Sequence, residues 1–211
     1  PIDTVQLQTN NIIEDKYVIK DMIPRGIVYK TYIVAENEDG MYLIDQHAAA
    51  ERVNYEKCLK KILNPTIETI PLLIPISIEL PRNEYIVVKN HLDLLESIGI
   101  KCEEFGENTF IVRSHPTWLH ENVEKQDIEK IFELIAHNES FDKNKFIDHA
   151  AATMACRMSI KANDYITLDE AKYLLDCLRQ CDNPFNCPHG RPTIITYTKY
   201  DLEKMFKRVM N

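Results

Sequence analysis

Apolar and polar positions alternate along the chain in a way that predicts mixed structure. Residues 27–35 are rich in β-branched and aromatic side chains and read as a strand. The segment Glu36-Asn37-Glu38-Asp39-Gly40 reads as a turn, and 41–44 as a second strand, giving a hairpin. Asp45 stands where that strand ends and can N-cap the next element. Residues 46–63 are strong helix formers, stopped by Asn64-Pro65. The middle of the chain reads as a strand over 74–80, then a helix over 81–97 with Ile86, Val87, Leu92, Leu94, Leu95 and Ile98 near helical spacing and Gly99 ending it. Strands at 100–105 and 109–113 are joined by Gly106-Glu107-Asn108, and a helix covers 125–137. Two more helices span 143–161 and 168–181, then come a loop over 182–192 containing Pro184, Pro188, Gly190 and Pro192, a strand at 193–197 and a closing helix at 200–210. The pattern is α+β.

Charge adds a boundary. The chain has 211 residues, room for one large domain or two small ones. Residues 75–141 hold 6 basic and 13 acidic side chains, whereas 1–74 are net −3 and 142–211 net +2. The acidic middle third hints at a module set between two flanking segments. A formal charge of −8 argues against strong autonomous grip on nucleic acid, which basic domains provide. No apolar run approaches the roughly 18 residues needed to cross a bilayer. The opening PIDTVQLQTN lacks the basic and apolar regions of a signal peptide, and a start at Pro1 suits a fragment of a longer protein. Cysteines at 58, 102, 156, 177, 181 and 187 fall mostly in helical patterns, not in a small secreted disulfide framework. Reduced thiols in a cytosolic protein are expected. There is no GxGxxG and no P-loop.

Three clusters carry candidate chemistry. In Asp45-Gln46-His47-Ala48-Ala49-Ala50-Glu51, His47 and Glu51 are four apart and share a helix face, with small alanines between them. Imidazole with carboxylate suits Zn²⁺ or Mn²⁺; the plainer reading is an N-cap and a solvated ion pair. In Cys187-Pro188-His189-Gly190-Arg191-Pro192, a thiolate and an imidazole two apart in a rigid loop can share one ion, or Cys187 can simply be buried. Arg191 can meet a phosphate or a carboxylate. Cys156, on the 143–161 helix, is a ligand or a small core residue. Two carboxylates, two imidazoles and up to two thiolates can hold one or two ions.

At these residues the sequence resembles a family. Asp45-Gln46-His47-Ala48, then Glu51, then Glu56, is similar to the endonuclease motif of MutL mismatch-repair proteins. Ala155-Cys156-Arg157, Cys187 to Pro192, and Phe206-Lys207-Arg208 resemble that family's further C-terminal motifs, in its order. The resemblance implies a C-terminal domain without the N-terminal ATPase. It implies a dimerisation subdomain made from both chain ends (1–74 and 142–211), carrying the metal and endonuclease site, and a smaller external regulatory subdomain inserted at 75–141. It implies a homodimer that nicks one strand of double-stranded DNA, with Mn²⁺ or Mg²⁺ as catalytic ion and Zn²⁺ structural or regulatory. Asp45, His47, Glu51, Cys187 and His189 would be ligands, with Asp45 and Glu51 holding the catalytic ion, Cys156 at or beside the site, and Glu56 the least secure contact. Arg191, Lys207 and Arg208 would approach the phosphates.

The family also docks on the replication sliding clamp through a Gln-aliphatic-Pro segment. Here Ile70-Pro71-Leu72-Leu73-Ile74-Pro75 keeps the apolar anchors Leu72, Leu73 and Pro75 but has Ile where Gln is expected. The alternative for this short run is a buried strand entry between prolines. A MutS-type mismatch sensor would meet the full-length protein, in the bacterial cytoplasm at the nucleoid, with no membrane involved. Two other classes fit the same residues: a dimerisation module with a structural zinc and no catalysis, and a metal-dependent hydrolase of a small substrate, which would need a deep pocket.

Overall fold

A computed structural model describes residues 19–64, 66–119, 124–137, 142–158 and 165–209. Pro65, residues 159–161, Met210 and the opening PIDTVQLQTN lie outside them.

The expected first strand is two strands. β1 (Ile23–Val28) and β2 (Tyr32–Asn37) pair antiparallel across a turn in which Tyr29 and Lys30 both have positive φ, 53° and 54°. Thr31 N–H closes this turn on the Val28 carbonyl at 3.1 Å. Such a turn ordinarily takes Asn or Gly, so Tyr-Lys gave no signal for it. β3 (Gly40–Asp45) comes after the two-residue loop Glu38-Asp39. A Cβ on Gly40 would lie 2.4 Å from the Tyr197 carbonyl oxygen, so only glycine lets the neighbouring strand approach here. That neighbour is β7 (Ile194–Thr198), and the first sheet runs β1-β2-β3-β7.

α1 (Gln46–Ile62) leaves β3 directly, with Asp45 as N-cap and Lys60 and Lys61 in its last turn. α6 (Leu168–Arg179) is opened by a Thr167–Glu170 capping box. Both helices cover the inner face of the sheet. Ile33, Ala35, Tyr42 and Ile44 meet Ala49, Ala50 and Val53 of α1 and Ala171, Leu174, Leu175 and Leu178 of α6. The alanines keep α1 close to the sheet.

A second sheet, β4-β6-β5, comprises β4 (Thr69–Glu79), β5 (Lys101–Glu104) and β6 (Thr109–Pro116). Around it lie α2 (Arg82–Lys89), α3 (Leu92–Ser97), α4 (Glu124–Ala136) and α5 (Lys143–Met158). Its core centres on Phe110, stacked on Tyr85 at 4.7 Å and tilted against Phe132 at 5.6 Å. Phe146, Ile147, Ala151 and Met154 of α5 and Cys58 and Ile62 of α1 join this second core. The helix expected over 81–97 is broken at Asn90-His91. The His91 ring nitrogen meets the Val87 carbonyl at 2.8 Å, the acceptor that His91's own N–H would use in an unbroken helix. That N–H goes to Val88 instead.

β4 starts earlier than the expected strand and takes in the whole 70–75 segment. Pro71 pairs with Ser114 and Ile76 with Val112, so the residues between them bulge from the ladder. Leu72 packs on the core, whereas Leu73 is 99% and Ile74 79% exposed. α7 (Lys199–Met205) stops short of the expected end at 210. It begins with a Thr198–Asp201 capping box and closes where Lys207 turns left-handed (φ 55°) and Arg208 N–H returns to the Glu203 carbonyl at 2.8 Å. The fold is α+β.

Candidate metal centre

The start of α1 and the 182–193 loop are sewn together by the backbone. Asp45 N–H donates to the Thr193 carbonyl at 3.0 Å, while the Asp45 carboxylate accepts from Ala48 N–H at 3.0 Å. One and a half turns into the helix, Glu51 is 2% exposed. Its two oxygens point to two imidazoles: His47 Nε2 lies 3.3 Å from Oε1, and His189 Nδ1 lies 3.3 Å from Oε2. Cys156, on α5, lies beside the same carboxylate. Glu51, Cys187 and His189 place one ligand atom each within 4.8 Å of one another.

Burial pushes the Glu51 carboxyl up, but the Cys156 thiol and the adjacent His47 and His189 outweigh it and hold the group below the ordinary carboxylate range. Burial and Glu51 together push the Cys156 thiol up, with Arg191 opposing them. The centre is therefore an anion set among donors.

The loop is preformed. Cys187-Pro188-His189-Gly190 is a turn closed by Gly190 N–H on the Cys187 carbonyl at 2.9 Å, and Cys187 N–H donates to the Arg191 carbonyl at 2.8 Å. Gly190 sits at φ 83°, a conformation that other residues adopt at a cost. Cys187 is buried, whereas the His189 side chain is 46% exposed, so the centre opens to the surface.

These donors fit a divalent ion. Bonds of about 2.0–2.3 Å to a tetrahedral Zn²⁺ separate ligand atoms by roughly 3.3–3.8 Å, within reach of small side-chain rotations from the arrangement seen. Thiol, imidazole and carboxylate together suit zinc or a comparable transition ion.

Not every sequence candidate joins the group. The Asp45 carboxylate lies outside the compact trio. Glu56 is committed elsewhere: it accepts from the N–H groups of Asp182 (2.7 Å) and Asn183 (3.1 Å), tying the loop's start to α1. Arg157 turns to Asp127 of α4, which is fully buried. Arg191 is exposed near Cys156. Lys207 and Arg208 are exposed at the end of α7, with the Arg208 guanidinium 5.9 Å from the Phe206 ring centre. The anchoring roles of Arg52 and Glu56 escaped the sequence reading. Their only signal was a charged i, i+4 pair on a helix otherwise turned inward.

Comparison with known proteins gives the family of the chain. Residues 25–166 match the family described as MutL C terminal dimerisation domain. The chain is 46% identical over 205 residues to the DNA mismatch repair protein MutL of Shouchella clausii, covering 97% of this chain and 31% of that one. It is 43% identical over 210 residues to the DNA mismatch repair protein MutL of Listeria innocua, covering 100% and 35%. The chain thus spans about a third of the length of these relatives. With two thirds of the chain matched by the family model and its whole length by such relatives, this protein belongs to the MutL C-terminal dimerisation domain family.

Proposed function

We propose that this domain nicks one strand of double-stranded DNA at a metal centre held by Glu51, Cys187 and His189, with His47, Cys156 and Asp45 completing it. The observation that carries the reading is the convergence of Glu51 from α1 with Cys187 and His189 from a loop more than 130 residues later. A divalent ion there would supply Lewis acidity to a phosphate oxygen. The buried thiol favours Zn²⁺ as the tight, structural or regulatory ion, and a looser Mn²⁺ or Mg²⁺ would share Asp45 and Glu51. The half-exposed His189 puts the centre on an open face, which suits a duplex better than a small substrate. Arg191, and from the end of α7 Lys207 and Arg208, would contact phosphates. The acidic net charge leaves delivery to DNA to the ATPase region, a MutS-type sensor and the sliding clamp. The division into 1–74 with 142–211 and an inserted 75–141 belongs to the same proposal.

A structural zinc without catalysis is the second reading, favoured by one observation: the Asp45 carboxylate caps Ala48 and stands outside the trio. Metal content separates the two. Zinc that falls in Cys187→Ser and also changes in Asp45→Asn is expected for a shared site. Zinc lost with Cys187 and untouched by Asp45 would establish the structural reading.

Two surfaces extend the proposal. On the outer face of the first sheet, Val34, Leu43 and Ile195 stand side by side in register across three strands, flanked by Tyr32. Ile195 is 49% exposed. This apolar row is the face proposed for homodimer contact. Leu43→Arg is expected to give a monomer by light scattering at micromolar concentration, and an intact dimer would place the interface elsewhere. The bulge that presents Leu73 and Ile74, with Leu72 and Pro75 beside them, is proposed as the sliding-clamp contact despite the missing Gln. Leu73→Ala should weaken clamp binding at least tenfold in a titration; unchanged binding would exclude the segment.

A further inference from the structure

We infer that Arg52 is a positioning residue for the metal centre, fixing where Cys187 stands relative to Glu51; this rests on the proposed metal site. Glu51 and Arg52 are neighbours on α1, about 100° apart around the helix. One side chain enters the centre and the other meets the loop that brings Cys187 and His189 to it. Arg52 is 9% exposed. Its Nε donates to the carbonyl of Asn186, the residue before Cys187. Its Nη1 lies 3.8 Å from Glu56, and its guanidinium lies 5.1 Å from the Tyr55 ring centre. Glu56 in turn holds the N–H groups of Asp182 and Asn183.

The hydrogen bonds inside the loop shape it but do not place it. It is placed from outside at its start by Glu56, at its end by the Asp45–Thr193 backbone bond, and immediately before Cys187 by Arg52. Thr193, itself bonded to Asp45, also holds Pro184 and Phe185; among the described residues Arg52 is the side chain that reaches Asn186, next to the thiol, from outside the loop. Only a planar, permanently charged fork serves a carbonyl and a carboxylate at once while stacking on a ring. Lysine at 52 would keep the charge and lose that geometry.

The test is a Co²⁺ titration of the domain, read by the thiolate-to-cobalt charge-transfer band, for wild type, Arg52→Lys and Arg52→Met. Supporting residues at metal sites typically change affinity ~10–100-fold. Both variants are expected to need at least ~10-fold more Co²⁺, with the lysine failing to rescue. Phe110→Leu, which weakens the second core rather than the loop, shows the affinity change that lost stability alone produces. Arg52 variants no weaker than this control would overturn the proposal. If Arg52→Met does not fold, Arg52→Lys decides alone: wild-type affinity overturns the inference, and a ~10-fold or greater loss upholds it. No band in the wild-type protein would remove the metal site itself, and this inference with it.

Discussion

Glu51→Gln is expected to lower the nicking rate of the full-length protein by at least ~100-fold, beyond the ~10–100-fold that lost supporting contacts cost at metal sites. Glutamine has nearly the same shape and helix propensity as glutamate, so α1 should form as before. What disappears is the anion between His47 and His189. Conversion of supercoiled plasmid to open circle with Mn²⁺ reads the rate, and circular dichroism checks the fold. Asp45→Asn is the matched probe. Asparagine caps a helix as well as aspartate does, so the Ala48 bond survives while the charge goes. A Glu51 variant nicking at the wild-type rate would refute the centre; an Asp45 variant doing so would remove Asp45 alone from it.

Arg157→Met is expected to cost about 3 kcal/mol of stability and leave bound zinc unchanged. Arg157 belongs to a motif that read as near-site, yet it pairs with Asp127, a carboxylate with no exposure. Removing the cation takes the ion pair from a buried carboxylate, for which losses of about 3–5 kcal/mol are typical; the Arg157 side chain is 34% exposed and Asp127 keeps a further contact, both of which favour the lower figure. Asp127→Ala should cost less, because the guanidinium it leaves can turn to water. Denaturant unfolding measures both. A loss below about 1 kcal/mol for Arg157→Met would mean that Asp127 does not depend on this pair.

Much of the fold was legible because periodicity and caps coincided. Asp45 announced α1, and the turn expected over Glu36 to Gly40 announced the hairpin, although β2 runs on through Asn37 and the loop is Glu38-Asp39 alone. The misses have local causes. Tyr29 and Lys30 adopt left-handed backbone without the usual turn residues, so one strand was read where two exist. His91 replaces a helical hydrogen bond with its own ring, dividing a continuous pattern. Lys207 ends α7 in a conformation that its side chain does not advertise. At the site, residue types and spacing left both a metal reading and a plainer one open for Glu51, His47, Cys187 and His189, and the resemblance to the MutL motifs is what singled them out. Arg52 and Glu56 stayed hidden, because their partners are backbone groups of a distant loop, and backbone acceptors and donors leave no trace in side-chain identity.

α1 is a rod of 17 residues, about 25 Å long. Ala49, Ala50 and Val53 belong to one core, Cys58 and Ile62 to the other, and no break lies between them. Melting either core therefore strips packing from a helix that the other needs, and a nucleated helix resists being half undone. The two halves should lose structure in one transition, with the amides in the middle of α1 among the slowest to exchange with solvent. An ion bound at Glu51 would then make its occupancy a property of the whole molecule, read as added resistance to unfolding in the sheet around Phe110 as well as at the site.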